Sequence, residues 1–184
     1  MKDKPFLKLS KLLSSIKTTT SERKEINFQD AVKSISKLIL KTKKSGGKIM
    51  IIGNGGSASI ASHIATDLLK NYEIPAMAFN DSSLLTCLSN DLGYEHVFSV
   101  PIGKLAKKKD VIFAISSSGK SKNILNAVNK AKEKGCILIS LSGFSQSNPL
   151  RNMGKINFYV PSSSYGDVEI SHLAICHAIA DSII

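Results

Sequence analysis

The sequence is short of acidic residues, of cysteine and of long apolar runs, and each shortage closes off a class of protein. Fourteen Asp and Glu stand against 25 Lys and Arg in 184 residues, a formal net charge of +11. An excess of that size attracts anions, whether nucleic acid, anionic membrane or acidic metabolite. Residues 1–47 hold twelve of the basic and four of the acidic residues, a net +8. Aromatic residues do not alternate with those lysines to stack on bases, and no nucleic-acid motif is present, so the charge reads as the solvated face of amphipathic helices. The three cysteines, Cys87, Cys136 and Cys176, are odd in number and widely spaced. That argues against both a disulfide framework and a cysteine metal cluster, and their apolar neighbours make them expected core residues. The longest apolar runs, at 111–115 and 136–141, fall far short of the roughly 18–20 residues of a spanning helix. Charges interrupt every apolar stretch near the N-terminus, so no secretory leader is expected and the cytoplasm is the expected compartment.

Two helices are expected first. Phe6, Leu7, Leu9, Leu12, Leu13 and Ile16 share one helical face, and Phe28, Ala31, Val32, Ile35, Leu38 and Ile39 share another. The stretch from Thr18 to Ser21 reads as their separator, and Ser45-Gly46-Gly47 as the stop of the second helix. From residue 48 the rhythm changes. Short apolar runs at 48–52, 76–79, 111–115, 136–141 and 156–160 alternate with amphipathic segments at 57–70, 82–91, 121–134 and 168–184. This pattern predicts an α/β fold, a doubly wound, flavodoxin-like, five-stranded parallel sheet with helices on both faces, over residues 48–184, preceded by N-terminal helices over 1–47. In such a sheet the ligand site lies outside the carboxyl ends of the strands.

Two loops at that edge have ligand-binding character. The first strand runs into Gly53-Asn54-Gly55-Gly56-Ser57 and then a helix, where glycines let the backbone approach a ligand and free N–H groups favour an anion. Neither the dinucleotide fingerprint nor the Walker A ending is present. The third strand ends in Ser116-Ser117-Ser118-Gly119-Lys120-Ser121 before another helix, a cradle of hydroxyls and N–H groups suited to a phosphate monoester. On the helix after the glycine loop, His63 and Asp67 are four apart and share a face. Glu169 and His177 are eight apart on the last helix and project alike, whereas His172 is rotated away. Two acid–histidine pairs on separate helices could serve one divalent metal, although a helix-surface His with an i,i+4 acid is more often an ion pair or cap.

Taken with Asn90-Asp91-Leu92-Gly93-Tyr94-Glu95-His96-Val97-Phe98, the two loops and Asn123 make the chain resemble the sugar isomerase (SIS) domain, and within it the phosphoheptose isomerases that act on sedoheptulose 7-phosphate. The resemblance implies that Ser116, Ser117, Ser118 and Ser121 hold a sugar phosphate, with Asn54, Gly55, Gly56 and Ser57 near the sugar. Asn90 and Asp91 are expected to bind substrate as well, Asp91 by orienting a hydroxyl or else serving as a turn residue. The resemblance also implies one zinc ion per subunit, held by His63, Asp67, Glu169 and His177, and a homotetramer whose core includes the N-terminal helices. Two residues depart from the family pattern. Asp67 stands where the family usually has Glu, and Glu169 where it usually has Gln.

The reaction so implied is an aldose–ketose isomerisation through an enediol, with Asp67 as base and His177 as its acid/base partner. Glu169 would add a negative charge to the metal site and also contact the substrate. The Tyr165-Gly166-Asp167 turn is expected to cap the last helix, with Asp167 within approach of the sugar. Two other functions use the same residues: a non-catalytic SIS protein that binds a phosphosugar or a protein partner of the replication-initiator type, and a phosphosugar sensor. Neither nucleic acid nor membrane is an expected partner.

Overall fold

The computed structural model describes residues 5–183. Six strands, β1 (Lys17–Thr20), β2 (Ile49–Ile52), β3 (Ala76–Ala78), β4 (Val111–Ser116), β5 (Ile137–Ser142) and β6 (Ile156–Tyr159), form one sheet in the spatial order β1-β6-β5-β4-β2-β3. Strands β2 to β6 are mutually parallel. Counted from β2, their order is that of the flavodoxin-like winding, and it reverses between β2 and β4. The expected fold class is therefore present with one strand more than the five expected.

The added strand corrects the reading of residues 18–21 as a separator. Thr18, Thr19 and Thr20 are β-branched and suit an extended backbone, and they pair antiparallel with the otherwise open edge of β6, Thr18 opposite Phe158 and Thr20 opposite Ile156. An exposed edge strand is thereby covered.

The helices are α1 (Pro5–Ser14), α2 (Phe28–Lys44), α3 (Gly56–Tyr72), α4 (Ser82–Leu92), α5 (Ser99–Leu105), α6 (Lys122–Glu133) and α7 (Tyr165–Ala180), with single 3-10 turns η1 (Tyr94–His96) and η2 (Pro149–Asn152). Helix α5 and turn η1 fall in a segment for which no helix was expected. The last helix starts at Tyr165, so Tyr165-Gly166-Asp167 is its first turn and not a preceding cap. Among the described residues no helix is long and apolar enough to cross a membrane.

Alternate strand residues point to opposite faces, which divides the core in two. On one face Ile49, Ile51, Phe113, Ile139 and Phe158 meet α2, α3 and α7 through Ile35, Ile39, Ile64, Leu68 and Ile175. On the other, Met50, Ile52, Ile112 and Leu138 meet Ile102, Ile124 and Val128 of α5 and α6. Burying each such side chain contributes roughly 1.5–3 kcal/mol. Helix α2 is thus built into the main core, held at its start by Asn27 Oδ1 accepting from the Gln29 N–H (2.8 Å). Cys176 is buried as expected and Cys136 half-buried, but Cys87 is exposed, because it lies on the outer side of α4, a helix with no fully buried residue.

Candidate active site

The ends of β2 and β4 lie side by side at the point where the strand order reverses, with Ile52 opposite Ala114. The glycine loop and the serine loop therefore leave the sheet as neighbours. Asn54 and Asn123 lock them together: Asn54 Nδ2 donates to Asn123 Oδ1 (3.0 Å) and Asn123 Nδ2 donates to Asn54 Oδ1 (2.8 Å). Tyr94, from the motif after α4, adds its hydroxyl to Asn54 Oδ1 (3.1 Å).

The serine loop closes on itself through Gly119. With φ at +62° this residue uses the left-handed region open to glycine, and its N–H donates to the Ser116 carbonyl (3.0 Å). The Ser118 Oγ accepts from the Lys120 N–H (3.2 Å). Ser121 is the N-cap of α6, yet its side chain makes no capping bond and its hydroxyl instead meets Ser116 Oγ at 3.4 Å, which gathers both hydroxyls beside the helix N-terminus. Asn54, Gly55, Ser57, Ser116, Ser117, Ser118, Ser121, Tyr165 and Glu169 enclose a cavity of about 250 Å³.

Glu169 belongs to this cavity. A Cβ on Gly56 would lie 2.5 Å from Glu169 Oε2, so the absence of a side chain at 56 is what admits the carboxylate to the start of α3. About two turns farther along, α3 and α7 bring a second set of groups together. His63 Nε2 faces His177 Nε2 at 3.2 Å and Asp67 Oδ2 at 3.4 Å. The donor atoms of His63, Asp67 and His177 all lie within 4.8 Å of one another. Glu169 is not in that group, so the fourth residue expected at the metal stands apart from the other three.

The remaining expectations fall elsewhere. Asn90 and Asp91 are exposed at the end of α4 and bond to each other, Asn90 Nδ2 to Asp91 Oδ1 (2.8 Å); neither lines the cavity. Asp167 is engaged by Lys8 (2.8 Å) and Ser162 (3.0 Å), which hold its carboxyl below the usual carboxylate range and tie α1 to α7. His172 is buried on the inner side of α7, with neither ring nitrogen partnered at hydrogen-bond geometry. Burial pushes its imidazole down to about 4, the Ser142 backbone partly opposing. Tyr94 and Tyr165 are site residues that spacing did not single out. The only sequence signal for Tyr94 was its place inside a motif.

Residues 12–143 match the family model described as SIS domain. The chain belongs to the SIS domain family. Among SIS proteins it is 40% identical over 148 residues to the phosphoheptose isomerase of Haemophilus ducreyi, covering 77% of this chain and 76% of that protein. It is 38% identical over 165 residues to the phosphoheptose isomerase of Helicobacter pylori, covering 85% and 84%. The solved phosphoheptose isomerase of Neisseria gonorrhoeae superposes with a TM-score of 0.81 at 29% identity, covering 97% of this chain and 94% of that one.

Proposed function

We propose that this SIS protein is a phosphoheptose isomerase, converting sedoheptulose 7-phosphate to D-glycero-D-manno-heptose 7-phosphate through an enediol. One observation carries the reading: the serine-loop cavity reaches the start of the α3–α7 seam through Ser57 and Glu169, and the His63/Asp67/His177 cluster lies farther along that seam. Gly56 to His63 is seven residues and Glu169 to His177 is eight, about 10–12 Å along a helix. The phosphate and the carbonyl of an extended sugar phosphate are held apart in the same sense, which leaves the serine loop for the one and the cluster for the other.

The cluster fits a divalent metal. Two ligands about 2.05 Å from a tetrahedral ion stand about 3.3 Å apart, close to the 3.2 and 3.4 Å observed among His63, His177 and Asp67. Two nitrogens and one carboxylate oxygen leave a fourth position open, the pattern of catalytic zinc sites. We assign zinc to it, with His63, Asp67 and His177 as holders. The chemistry such an ion supplies when bound is polarisation of the sugar carbonyl.

The chain's own groups do the rest. The Ser116–Ser121 loop and the start of α6 hold the phosphate. Asp67, with one oxygen turned toward His63, takes the proton from C1 and returns it to C2, while His177 would move a proton between O1 and O2 when its Nε2 is not held by the metal. A second assignment of the base rests on one observation: Glu169, unlike Asp67, lines the phosphate cavity. Exposed Phe6, Leu7, Tyr165 and Ile170 on α1 and α7 support the homotetramer, and a sugar-phosphate substrate supports a cytoplasmic location. Steady-state kinetics on Ser118→Ala and Ser121→Ala test the cradle: KM for sedoheptulose 7-phosphate should rise with kcat less affected, and unchanged KM in both would remove the loop from substrate binding.

A further inference from the structure

The chain has only two arginines among its 25 basic residues, Arg23 and Arg151, and both line one cleft away from the serine loop. The cleft exists because the β5–β6 connection is built differently from the others. Each other crossover between parallel strands carries an α-helix, but residues 143–155 carry only η2, and the cleft lies between that segment and the residues in and just after β1. The opening has a volume of about 470 Å³ and is also lined by Thr19, Glu25 and Asn152, a size typical of small-molecule sites.

Arg151 is the unusual element. It is 9% exposed, lies over the Tyr159 ring at 4.3 Å and donates from Nη1 to the Gln146 carbonyl (2.8 Å). A buried charge ordinarily requires a counter-charge, yet among the described residues no carboxylate pairs with Arg151 or Arg23. Glu25 lines the same cleft without bonding to either. Arg23 is held toward the cleft by a turn after β1 in which its own φ is +64°, a conformation costly for a side-chain-bearing residue. Two forked guanidiniums match the oxyanions of a phosphoryl group, while Thr19, Glu25 and Asn152 offer partners for hydroxyls.

We propose that this cleft is a second anion site, binding a small phosphorylated polyol through Arg23 and Arg151, distinct from the serine loop. Its position gives it a route to that loop. The Arg151 N–H donates to Asn148 Oδ1 (3.0 Å), the Leu150 N–H donates to the Gly119 carbonyl (3.2 Å), and the Asn148 side chain packs directly on Gly119. The binding claim stands independently of the isomerase reading; the coupling rests on it.

With two arginines in the chain, a ¹H–¹⁵N spectrum of the full-length protein holds two Nε signals, which Arg23→Gln assigns. Glycerol 3-phosphate should move both along one saturating isotherm, more tightly than inorganic phosphate does, and should still do so when Ser121→Ala has weakened the serine loop. Arg151→Lys keeps the charge, loses the fork and should weaken binding about tenfold; exposed Arg23→Gln should weaken it less. Nε signals unmoved up to tens of millimolar, or movement lost together with the serine loop, would overturn the site. A Gly119 amide that stays still while both Nε signals shift would overturn the coupling and leave the site.

Discussion

The Nε2 atoms of His63 and His177 face each other at 3.2 Å although the residues are 114 positions apart in the chain. Two imidazole nitrogens so placed can be joined by one hydrogen bond or one metal ion, and Asp67 Oδ2 at 3.4 Å from His63 adds a carboxylate oxygen to the pair. Zinc should therefore bind with one equivalent per chain. Calorimetric titration of the metal-free protein should show that affinity falling about 100-fold or more in His63→Ala and in His177→Ala. Equal affinity in wild type and both variants would remove the cluster from metal binding.

Asp67 lies in the His63/His177 cluster and Glu169 lines the serine-loop cavity. Asp67→Asn should lower turnover by about 10²–10⁴, with phosphate binding kept. Glu169→Gln leaves the cluster whole and should hold kcat within about tenfold. The reverse result, with Glu169→Gln the deeper loss, would transfer the base to Glu169.

Gly119 has two reasons to resist a side chain. Its φ is +62°, and a Cβ would come within 2.0 Å of Asn148 Oδ1. Gly119→Ala should cost about 2–4 kcal/mol in urea unfolding and raise KM more than it lowers kcat. A variant as stable as wild type would show that η2 and the serine loop are not packed as described.

His172 sets an acid limit on stability. Burial lowers its folded value from 6.5 to about 4, so the unfolded chain binds the extra proton between those two values. The stabilisation is fully present above pH 6.5 and is lost as pH falls toward 4, to a total of about 3 kcal/mol. Urea midpoints measured across that range should fall steeply in wild type and less steeply in His172→Leu. Parallel slopes would mean that another group controls the acid limb.

The parallel strands were legible because each is a nearly unbroken apolar run between turn residues, as at 111–115, and burial on both faces demands that composition. Strand β1 was not, because Thr18-Thr19-Thr20 has the polarity of a linker and becomes a strand only where β6 offers an unpaired edge. His63 and Asp67 could be placed on one helix face by spacing alone. Their meeting with His177 depends on how α3 packs against α7, which no local pattern encodes. Glu169 shows the same limit. Its helical phase matches His177, but the missing side chain at Gly56 gives its carboxylate a place at the start of α3 instead. Asp91 was drawn toward the site by its motif, whereas the structure gives that motif's contact to Tyr94.

The most direct measurement is proton NMR of the purified protein with sedoheptulose 7-phosphate in D₂O, with zinc added and with chelator. The account predicts an aldoheptose 7-phosphate carrying deuterium at C2, formed with zinc and suppressed by chelator. Neither product nor exchange in the zinc-loaded protein would contradict the isomerase assignment, and equal turnover in chelator would contradict the role given to His63, Asp67 and His177 as metal holders.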